Sequence, residues 1–504
     1  MTPDRPSQPF PDAARAAGHL ASLYGFRRLV DAGLGWTPEV GLRYPSLRVT
    51  GVTTPGQPAD QSPKYAFGRP IDPTSAGAAR ELARLDPAAT AVYLSGPADK
   101  LAGAGGLIDR LGDLIAAAPL TVVATDDVAP VSAALGEHGL QPELAGSTRI
   151  GAGSEDRSGG LLIYDRTLAG VRQAAGPAPS SFRVVAILVV FNEQDIIGPS
   201  IQKLIDDGLG VYVIDNWSTD RTYEIVRGFE GRGLVGLERF PEAAGDTFPF
   251  VEVLRRLEAL PAELGADWYI HADADERRSG PWPGVKLRDA LWLVDRSGFT
   301  AVDHTVINYR PIDNGFQPGG DFESYFRHFE LGRSGDLLIQ VKAWKDVGPV
   351  DLARSAGHQA VFKGRRVFPY KFLVKHYPIR SQSHGEQKVF RDRGARWDKR
   401  ELARGWHIQY DDVVPKQSFL RNPADLIEDL GEQTRARYLG ELITGAGLST
   451  GRMPAWALGG KTRRFLYART RPITRTRPYQ WLRRVAVAPV RLVRKSRVAG
   501  KGTL

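Results

Sequence analysis

The stretch Trp268-Tyr-Ile-His-Ala-Asp-Ala-Asp-Glu276 decides which fold the sequence predicts. Its aromatic and apolar start is typical of a short buried strand. Three acids, Asp273, Asp275 and Glu276, follow directly where that strand would end. Open α/β sheets bind ligands at the carboxyl ends of their strands, and two carboxylates one residue apart can share one divalent cation. The stretch therefore predicts a ligand site at the edge of an α/β sheet, although a solvated acidic turn would show the same pattern.

Two segments upstream show the same order of an apolar strand followed by polar residues. Val184–Val190 is a continuous apolar run that leads into Phe191-Asn192-Glu193, and Val211–Ile214 leads into Asp215-Asn-Trp-Ser-Thr-Asp220. Helix-like segments at 195–208 and 222–229 follow these strands, and 234–240 has the pattern of a third strand. This β-α-β-α-β order predicts a mainly parallel sheet with right-handed crossovers.

The composition fits a globular protein of two or three domains. The chain has 504 residues, 42% of them hydrophobic and 25% charged, and no apolar run reaches the length of a membrane span. Cysteine is absent, which excludes disulfides and thiolate metal sites. The formal net charge is +10, but residues 461–504 alone carry 14 Lys and Arg and no Asp or Glu. Subtracting those charges leaves −4 for the rest of the chain, which argues against a body that binds nucleic acid.

A linker and several changes of pattern divide the chain. Gly176-Pro-Ala-Pro-Ser-Ser181 has the composition of a linker, and α/β alternation is present on both sides of it. We therefore expect a flexible leader at 1–20, a smaller α/β domain at 21–175, a second α/β domain at 182–415, a helical extension at 416–460 and a basic tail at 461–504. The extension is expected to contain an amphipathic helix at Pro423–Leu442.

The N-terminal domain contains Tyr93-Leu-Ser-Gly-Pro97 with a helix-like segment after it, then Thr121-Val-Val-Ala-Thr125 and Leu161-Leu-Ile-Tyr164. In these segments it resembles the second half of a Rossmann-like class I methyltransferase. A glycine-rich cofactor loop after a first strand is missing. We therefore expect a non-catalytic domain with a structural or partner-binding role.

Residues 183 to about 280 resemble the nucleotide-sugar-binding half of a family 2 glycosyltransferase with the GT-A fold. Phe191-Asn192-Glu193 resembles the first family motif, Asp215-Asn-x-Ser-x-Asp220 the second, and Asp273-Ala-Asp275 the D-x-D motif. The motifs arrive in the family's order, and a looser similarity continues to about residue 410. The resemblance implies a GT-A domain at 182–415 that transfers a sugar from a nucleotide-diphosphate sugar to an acceptor hydroxyl.

The resemblance also implies roles for the motif residues. The donor nucleotide would be bound by Phe191, Asn192, Glu193, Asp215, Asp220 and Asp273, whose acids accept hydrogen bonds from base and ribose. Asp220 would alternatively cap the helix after it. Asp273 and Asp275 would hold Mg²⁺ or Mn²⁺, with His376 as a further ligand or diphosphate contact, unless His376 is a satisfied buried histidine. Glu276 would orient the acceptor or only support the turn.

A second informative stretch, residues 375–397, is rich in basic and aromatic residues. Family 2 enzymes mostly invert the anomeric centre, and inversion needs a carboxylate base. The sequence does not fix that base, and Glu386 is the favoured candidate. Lys388 and Arg393 would neutralise the leaving diphosphate, or else belong to a solvated basic helix face. These three residues form the predicted catalytic set.

The expected acceptor is a glycan or a lipid-linked glycan, as in the synthesis of a cell-envelope polysaccharide. Basic residues beside Trp481 and Leu482 suit an anionic membrane surface, although a disordered solubilising tail would look the same. Met1–Pro11 has no signal-peptide pattern, so we expect a cytoplasmic protein that lies peripherally at the inner face of the membrane if the tail binds lipid.

Two rival functions remain open at the level of the sequence. The first is a catalytically decayed transferase that acts as a binding protein. The second is a sugar nucleotidyltransferase, which would need a glycine-rich basic loop where this chain has Phe191-Asn-Glu-Gln-Asp195.

Overall fold

The computed structural model describes residues 11–33, 44, 46–54, 70–149, 158–245, 247–331, 340–393, 396 and 418–431. The basic tail at 461–504 and the predicted helical extension beyond residue 431 lie outside the described residues.

The first sheet has helices on both faces. Its strands are β1 (Arg28–Ala32), β2 (Arg48–Val52), β3 (Thr90–Gly96), β4 (Leu120–Thr125), β5 (Leu144–Arg149) and β6 (Ser158–Asp165), in the order β2-β1-β3-β4-β6-β5. The first four are parallel, β6 is antiparallel to β4, and β5 is antiparallel to β6. The helices around it are α1 (Pro11–Leu23), α2 (Ala78–Leu82), α3 (Ala98–Ala102), α4 (Leu107–Ala117), α5 (Val128–Glu137) and α6 (Arg166–Ala175).

The central strand β3 shows why the segment 91–94 is apolar without interruption. Every residue of β3 is buried. Ala91 and Tyr93 belong to the core cluster that contains α1, whereas Val92 and Leu94 belong to the cluster that contains α4 and α5. A strand covered on both faces has no polar side in its sequence. The predicted α/β alternation is confirmed here.

The second sheet contains the strands that precede the sequence motifs. Its strands are β7 (Val184–Val190), β8 (Gly210–Asp215), β9 (Leu234–Arg239), β10 (Trp268–Ala272), β12 (Ala301–Val302) and β15 (Ala343–Lys345), in the order β12-β15-β10-β7-β8-β9. β10, β7, β8 and β9 are parallel, as predicted, whereas β15 is antiparallel to β10 and β12 is antiparallel to β15. The connecting helices are α7 (Ile197–Asp206), α8 (Thr222–Arg227), α9 (Phe250–Leu264) and α10 (Leu287–Arg296).

A third sheet brings the C-terminal residues to the acidic turn. It consists of β11 (Glu276–Ser279), β13 (His304–Tyr309), β14 (His328–Leu331), β16 (Phe372–His376) and β17 (Ile427–Glu428), in the order β11-β16-β13-β14-β17. β11 begins at the last residue of the D-A-D-E turn and pairs antiparallel with β16, so that Glu276 lies opposite His376. Two short helices connect strands of this part of the chain: α11 (Phe322–Tyr325) lies between β13 and β14, and α12 (Gln382–Glu386) lies between β16 and β17.

The first sheet and the sheets after it share a hydrophobic core. One cluster of buried side chains joins α1, β3 and β4 to β7, β10 and α10. A buried polar group bridges the same boundary, because the hydroxyls of Tyr24 and Tyr370 donate to Asp165 Oδ2 at 2.6 and 2.7 Å. The predicted domain limits stay a prediction, but the two sides of the linker are packed against each other.

Two expectations differ from the structure at the ends of the described chain. Residues 11–20 are not a loose leader, because α1 buries Ala13, Ala17 and Leu20 completely against the first sheet. The predicted helix at Pro423–Leu442 is absent from its described part, where Pro423–Asp425 forms a 3₁₀ turn and β17 pairs with β14. Pairing with an open sheet edge satisfies the backbone of β17 in a way that the amphipathic pattern does not reveal.

No helix among the described residues is long and apolar enough to cross a membrane.

Candidate functional site

The loops that follow β7 and β8 are joined by their own motif residues. The Asn192 N–H donates to Ser218 Oγ at 3.1 Å, and the Thr219 N–H donates to Asn192 Oδ1 at 2.8 Å. Asn192 and Trp217 have left-handed backbones, with φ of 54° and 59°. Residues other than glycine keep this conformation only where their surroundings enforce it, and such residues cluster at functional sites. The first two motifs therefore form one interlocked edge.

Asp215 is a fully buried carboxylate at the end of β8. Its Oδ2 accepts a hydrogen bond from the Ser218 N–H at 3.1 Å and lies 3.6 Å from Arg239 Nε. Its Oδ1 has no hydrogen-bond partner among the described residues. Burial raises the pKa of Asp215, more than the hydrogen bonds to Ser218 lower it. A buried acceptor without a partner is costly, and such groups are found where a ligand is bound.

Asp220 holds the backbone at the start of the following helix, one position before the N-cap residue Arg221. Its Oδ1 accepts from the Thr222 N–H at 2.9 Å, at the start of α8, and its Oδ2 accepts from the Gln194 N–H at 3.2 Å. Both oxygens thus hold backbone at the loop edge. A contact of Asp220 with the donor stays a prediction.

A buried lysine pairs with each aspartate of the D-x-D motif. Lys342 Nζ lies 2.9 Å from Asp273 Oδ2, and Lys388 Nζ lies 2.8 Å from Asp275 Oδ2. Burial by itself raises the pKa of both carboxyl groups, but the neighbouring ammonium group together with a nearby histidine outweighs it and holds each pKa well below its usual range. Asp275 is buried, whereas 41% of the Asp273 side chain is exposed. Both acids are therefore ionised and already neutralised by the protein.

Glu193 joins the first motif to the same charge network. Its Oε1 lies 3.2 Å from Lys388 Nζ, and its Oε2 accepts from Arg380 Nη2 at 2.6 Å. Arg380 also donates from Nε and Nη2 to the carboxylate of Asp195, at 2.7 and 2.9 Å. Arg380 is 1% exposed. The network fixes the edge of β7 to the segment after β16.

Glu276 supports the turn, in agreement with one of its two interpretations. Its Oε2 accepts from the Asp273 N–H at 3.1 Å and pairs with Arg278, while its Oε1 lies 3.5 Å from Lys342 Nζ. Its side chain is only 7% exposed. These contacts hold the acidic turn rigid at the end of β10.

His376 lies beside Asp275 at the end of β16. Its Nδ1 is 2.9 Å from Asn308 Oδ1, and its Nε2 is 3.7 Å from Asp275 Oδ1. The pairing of β11 with β16 produces this proximity, which sequence separation alone would not indicate. His376 is 26% exposed through its side chain, so a ligand would have access to the ring.

The described residues do not fit the expected divalent cation. Mg²⁺ and Mn²⁺ need several oxygen ligands at about 2.0–2.2 Å, with carboxylates free to bind them. No group of three His, Asp or Glu side chains in the described part of the chain is placed to hold a metal ion. One oxygen of Asp273 and one of Asp275 accept from lysine, and both oxygens of Glu276 are paired. The metal at Asp273, Asp275 and His376 stays a prediction.

The predicted catalytic residues are separated in the structure. Lys388 lies in the charge network, on a π-helical turn at Gln387–Arg393. Glu386 is exposed, and its Oε1 accepts from Gln382 Nε2 at 2.8 Å. Arg393 ends the π-helical turn, and its side chain lies outside the described part. Glu386 as the base and Arg393 as a diphosphate contact stay predictions.

Phe191 and Asn216 are held by a basic residue from the second stretch. The guanidinium carbon of Arg396 lies 3.8 Å from the centre of the Phe191 ring. Its Nη2 also donates to Asn216 Oδ1 at 2.6 Å. A cation on an aromatic face is attracted by the ring's quadrupole. Arg396 thus contacts a residue of the first motif, Phe191, and a residue of the second, Asn216.

The sequence did not identify Lys342 as a member of the site. The signal that was available is a single charge inside Leu337-Leu-Ile-Gln-Val-Lys-Ala-Trp344, an otherwise largely apolar run. A lysine that must be buried needs a partner, so its presence there indicates a paired carboxylate elsewhere. Arg380 lay in the basic stretch but had no role assigned to it.

Comparisons with known proteins give only weak likenesses. No family model matches the sequence, and no curated protein matches it. Among solved structures, the chain is similar to the crystal structure of S. aureus TarS 1–349 in complex with UDP, with 10% identity, a TM-score of 0.23 and coverage of 39% of this chain and 61% of that one. It is also similar to the crystal structure of a mycobacterial protein, with 21% identity, a TM-score of 0.19 and coverage of 34% and 51%. This chain thus matches less than two thirds of either structure, and TM-scores this low carry no argument about its fold or activity.

Proposed function

We propose that the protein is a glycosyltransferase that takes a sugar from a nucleotide-diphosphate sugar and transfers it to an acceptor hydroxyl. One observation carries the proposal. Three neighbouring parallel strands, β10, β7 and β8, each end in one of the three motifs, so the motifs meet along one edge of the sheet. Parallel α/β sheets bind ligands along that edge.

The site offers chemically different contacts for the two ends of such a donor. Asp215 has a buried oxygen without a partner among the described residues, which suits an N–H or hydroxyl of the nucleoside. Lys342 and Lys388 lie beside the D-x-D acids, where their positive charge suits a diphosphate, and the accessible ring of His376 lies next to Asp275. The sugar would then project towards Asp273, the more exposed of the two acids.

We infer an inverting transfer, in which a carboxylate removes the acceptor proton while the diphosphate leaves from the opposite face. Glu386 remains the proposed base. The proposed acceptor is a glycan or a lipid-linked glycan, and the basic tail at 461–504 is proposed to hold the protein at the cytoplasmic face of an anionic membrane.

A thermal-shift panel of UDP-, GDP-, TDP- and CDP-sugars tests the donor site. A ligand that binds only the native state raises the melting temperature, by the equivalent of roughly 2.7 kcal/mol at a hundredfold excess over its dissociation constant. We expect the sugar nucleotides of one base to raise the melting temperature. We also expect the purified protein to hydrolyse that donor, or to transfer its sugar, slowly. A shift without any turnover would instead support the decayed transferase, and no shift with any nucleotide would overturn the proposal.

Asp275→Ala provides the corresponding test by mutation. We expect transfer to fall by about a hundredfold or more, because the variant removes a charge that fixes Lys388 at the reacting end of the donor. Asp206→Asn, at an exposed position at the end of α7, is the matched control and should keep full activity. Full activity of Asp275→Ala, measured as release of nucleoside diphosphate, would be incompatible with the assignment.

A further inference from the structure

The two buried lysines occupy the place at which the resemblance expects a divalent cation. Lys342 contacts Asp273 and Glu276, and Lys388 contacts Asp275 and Glu193. Both lysines are almost completely buried, at 6% and 5% exposure. A cation at about 2.0–2.2 Å from the same carboxylates would lie close to two ammonium groups, and the like charges would repel each other.

Neither lysine is free to move away at low cost. The carbonyl of Lys342 accepts from the His271 N–H at 2.8 Å, which ties its backbone to β10. Lys388 lies on the π-helical turn, a rare geometry that occurs frequently at functional sites. Displacement of either ammonium would leave buried carboxylates unpaired, which is strongly unfavourable.

The ammonium groups still have hydrogen-bonding capacity for a ligand. A lysine ammonium has three N–H donors. In the described contacts, each of these two ammonium groups uses two donors, both towards carboxylates. One donor on each lysine therefore remains for a phosphate oxygen.

The carboxylates around the two lysines hold both ammonium groups in place. Four cationic side chains face five carboxylates within the network; the cations are Lys342, Lys388, Arg278 and Arg380, and the acids are Glu193, Asp195, Asp273, Asp275 and Glu276. In these contacts the carboxylates orient the two ammonium groups and are not available as free metal ligands. Fixed positive charge that is already in place at the leaving group lowers the barrier without reorganisation.

We propose that Lys342 and Lys388 take over the role of a divalent cation, so that they bind the donor diphosphate directly and transfer needs no metal. In this step the acceptor oxygen forms a bond to the anomeric carbon while the bond from that carbon to the diphosphate oxygen breaks. The bonding electrons stay on the diphosphate, whose added negative charge faces the two ammonium groups. The acceptor proton goes to a carboxylate base. The inference rests on the proposed function and specifies how its diphosphate is held.

The first experiment measures binding and turnover of the full chain with the four sugar nucleotides, in excess EDTA and in Mn²⁺. We expect one nucleotide to bind and to turn over in EDTA within about twofold of its values in Mn²⁺. Binding or turnover that requires Mn²⁺ would overturn the inference but leave the proposed function standing. Absence of binding in both conditions would overturn the function itself, and the inference with it.

The second experiment uses Lys388→Met, which keeps the length of the side chain but removes its charge. We expect donor affinity in EDTA to fall roughly tenfold or more, since a charge-assisted hydrogen bond is lost. Mn²⁺ should restore part of it, because Asp275 Oδ2 and Glu193 Oε1 lose their lysine partner and can bind a cation. Lys388→Arg should keep metal-independent binding, and Lys363→Met, at an exposed position, is the control. Unchanged affinity of Lys388→Met in EDTA would contradict the inference, and the wild-type comparison decides the question if that variant does not fold.

Discussion

At the scale of single residues, Asp215 shows the conflict between stability and binding most directly. It is fully buried, one carboxylate oxygen has no partner among the described residues, and burial raises its pKa. A buried ionised group with incomplete hydrogen bonding lowers the stability of the folded state. Retention of such a group is explained if a ligand completes its hydrogen bonds.

Asp215→Asn should therefore separate the effect of Asp215 on the stability of the folded state from its effect on donor binding. The amide has the shape of the carboxylate and can still accept from the Ser218 N–H, but it carries no charge. We expect an unchanged or higher melting temperature near neutral pH, together with donor affinity that is roughly tenfold weaker or more. Thermal denaturation and nucleotide titration measure the two effects. A lower melting temperature with unchanged affinity would show that Asp215 has a structural role only.

Some residues of the site can be located from the sequence around them, and others cannot. Asp215, Asp273 and Asp275 directly follow apolar strands, so the pattern locates them at the ligand-binding edge. Lys342 and Arg380 reach the same edge from other sheet elements, and their sequence neighbours carry no comparable motif. Their roles depend on long-range contacts, which a local pattern cannot encode.

At the scale of elements, the third sheet brings residues that are distant in sequence next to the D-x-D acids. β11 starts within the acidic turn, and its pairing with β16 fixes His376 opposite Glu276. β13 lies next to β16 and supplies Asn308, which holds the His376 ring. The apolar runs predict strands here, but strand partners and register come from the tertiary structure.

The start of β13 carries a histidine that should make stability depend on pH. His304 is buried, its Nδ1 lies 2.8 Å from the Gln340 carbonyl oxygen, and its Nε2 has no partner among the described residues. Burial, with help from the nearby Arg278, holds the pKa of His304 well below the ordinary value of 6.5. In the unfolded chain the ring takes up a proton at that ordinary value, so stability present above it is lost as the pH falls.

His304→Asn tests this contribution. An asparagine amide can replace the Nδ1–H donor but does not titrate. Between about pH 7 and pH 5, we expect the free energy of unfolding of the wild type to fall more steeply than that of the variant, by up to about 1.4 kcal/mol per pH unit. Urea denaturation at several pH values measures both slopes. Parallel slopes would show that His304 does not contribute to the pH dependence.

At the scale of the whole molecule, the linker does not separate two independent bodies in the described structure. Side chains of α1 and the first sheet belong to one core cluster with side chains of the second and third sheets. Asp165 is buried at this boundary. It accepts hydrogen bonds from the hydroxyls of Tyr24 and Tyr370 and from the Leu168 N–H. Burial raises the pKa of Asp165, so these donors are needed to hold the carboxyl group there.

Tyr370→Phe should show whether the two sides unfold together. The variant removes one donor from a buried carboxyl group, which should lower the free energy of unfolding by about 1–3 kcal/mol. We expect calorimetry to show one transition in the wild type and one transition at lower temperature in the variant. Tyr325→Phe removes a comparable bond to Asp313 at the exposed surface and should have little effect. Two separate transitions would show that the shared core does not couple the two parts.

The sequence by itself determined the α/β class, the mainly parallel direction of the strands that precede the motifs, and the position of the acids at the ends of three of these strands. Periodicity and strand-end residues are local properties, so they are readable without a structure. Only the tertiary structure decided that α1 is a packed helix, that residues 423–431 do not form the predicted helix, and that Lys342 and Lys388 neutralise the D-x-D acids. These outcomes depend on contacts between segments far apart in sequence, where burial and pairing of charges override local propensity.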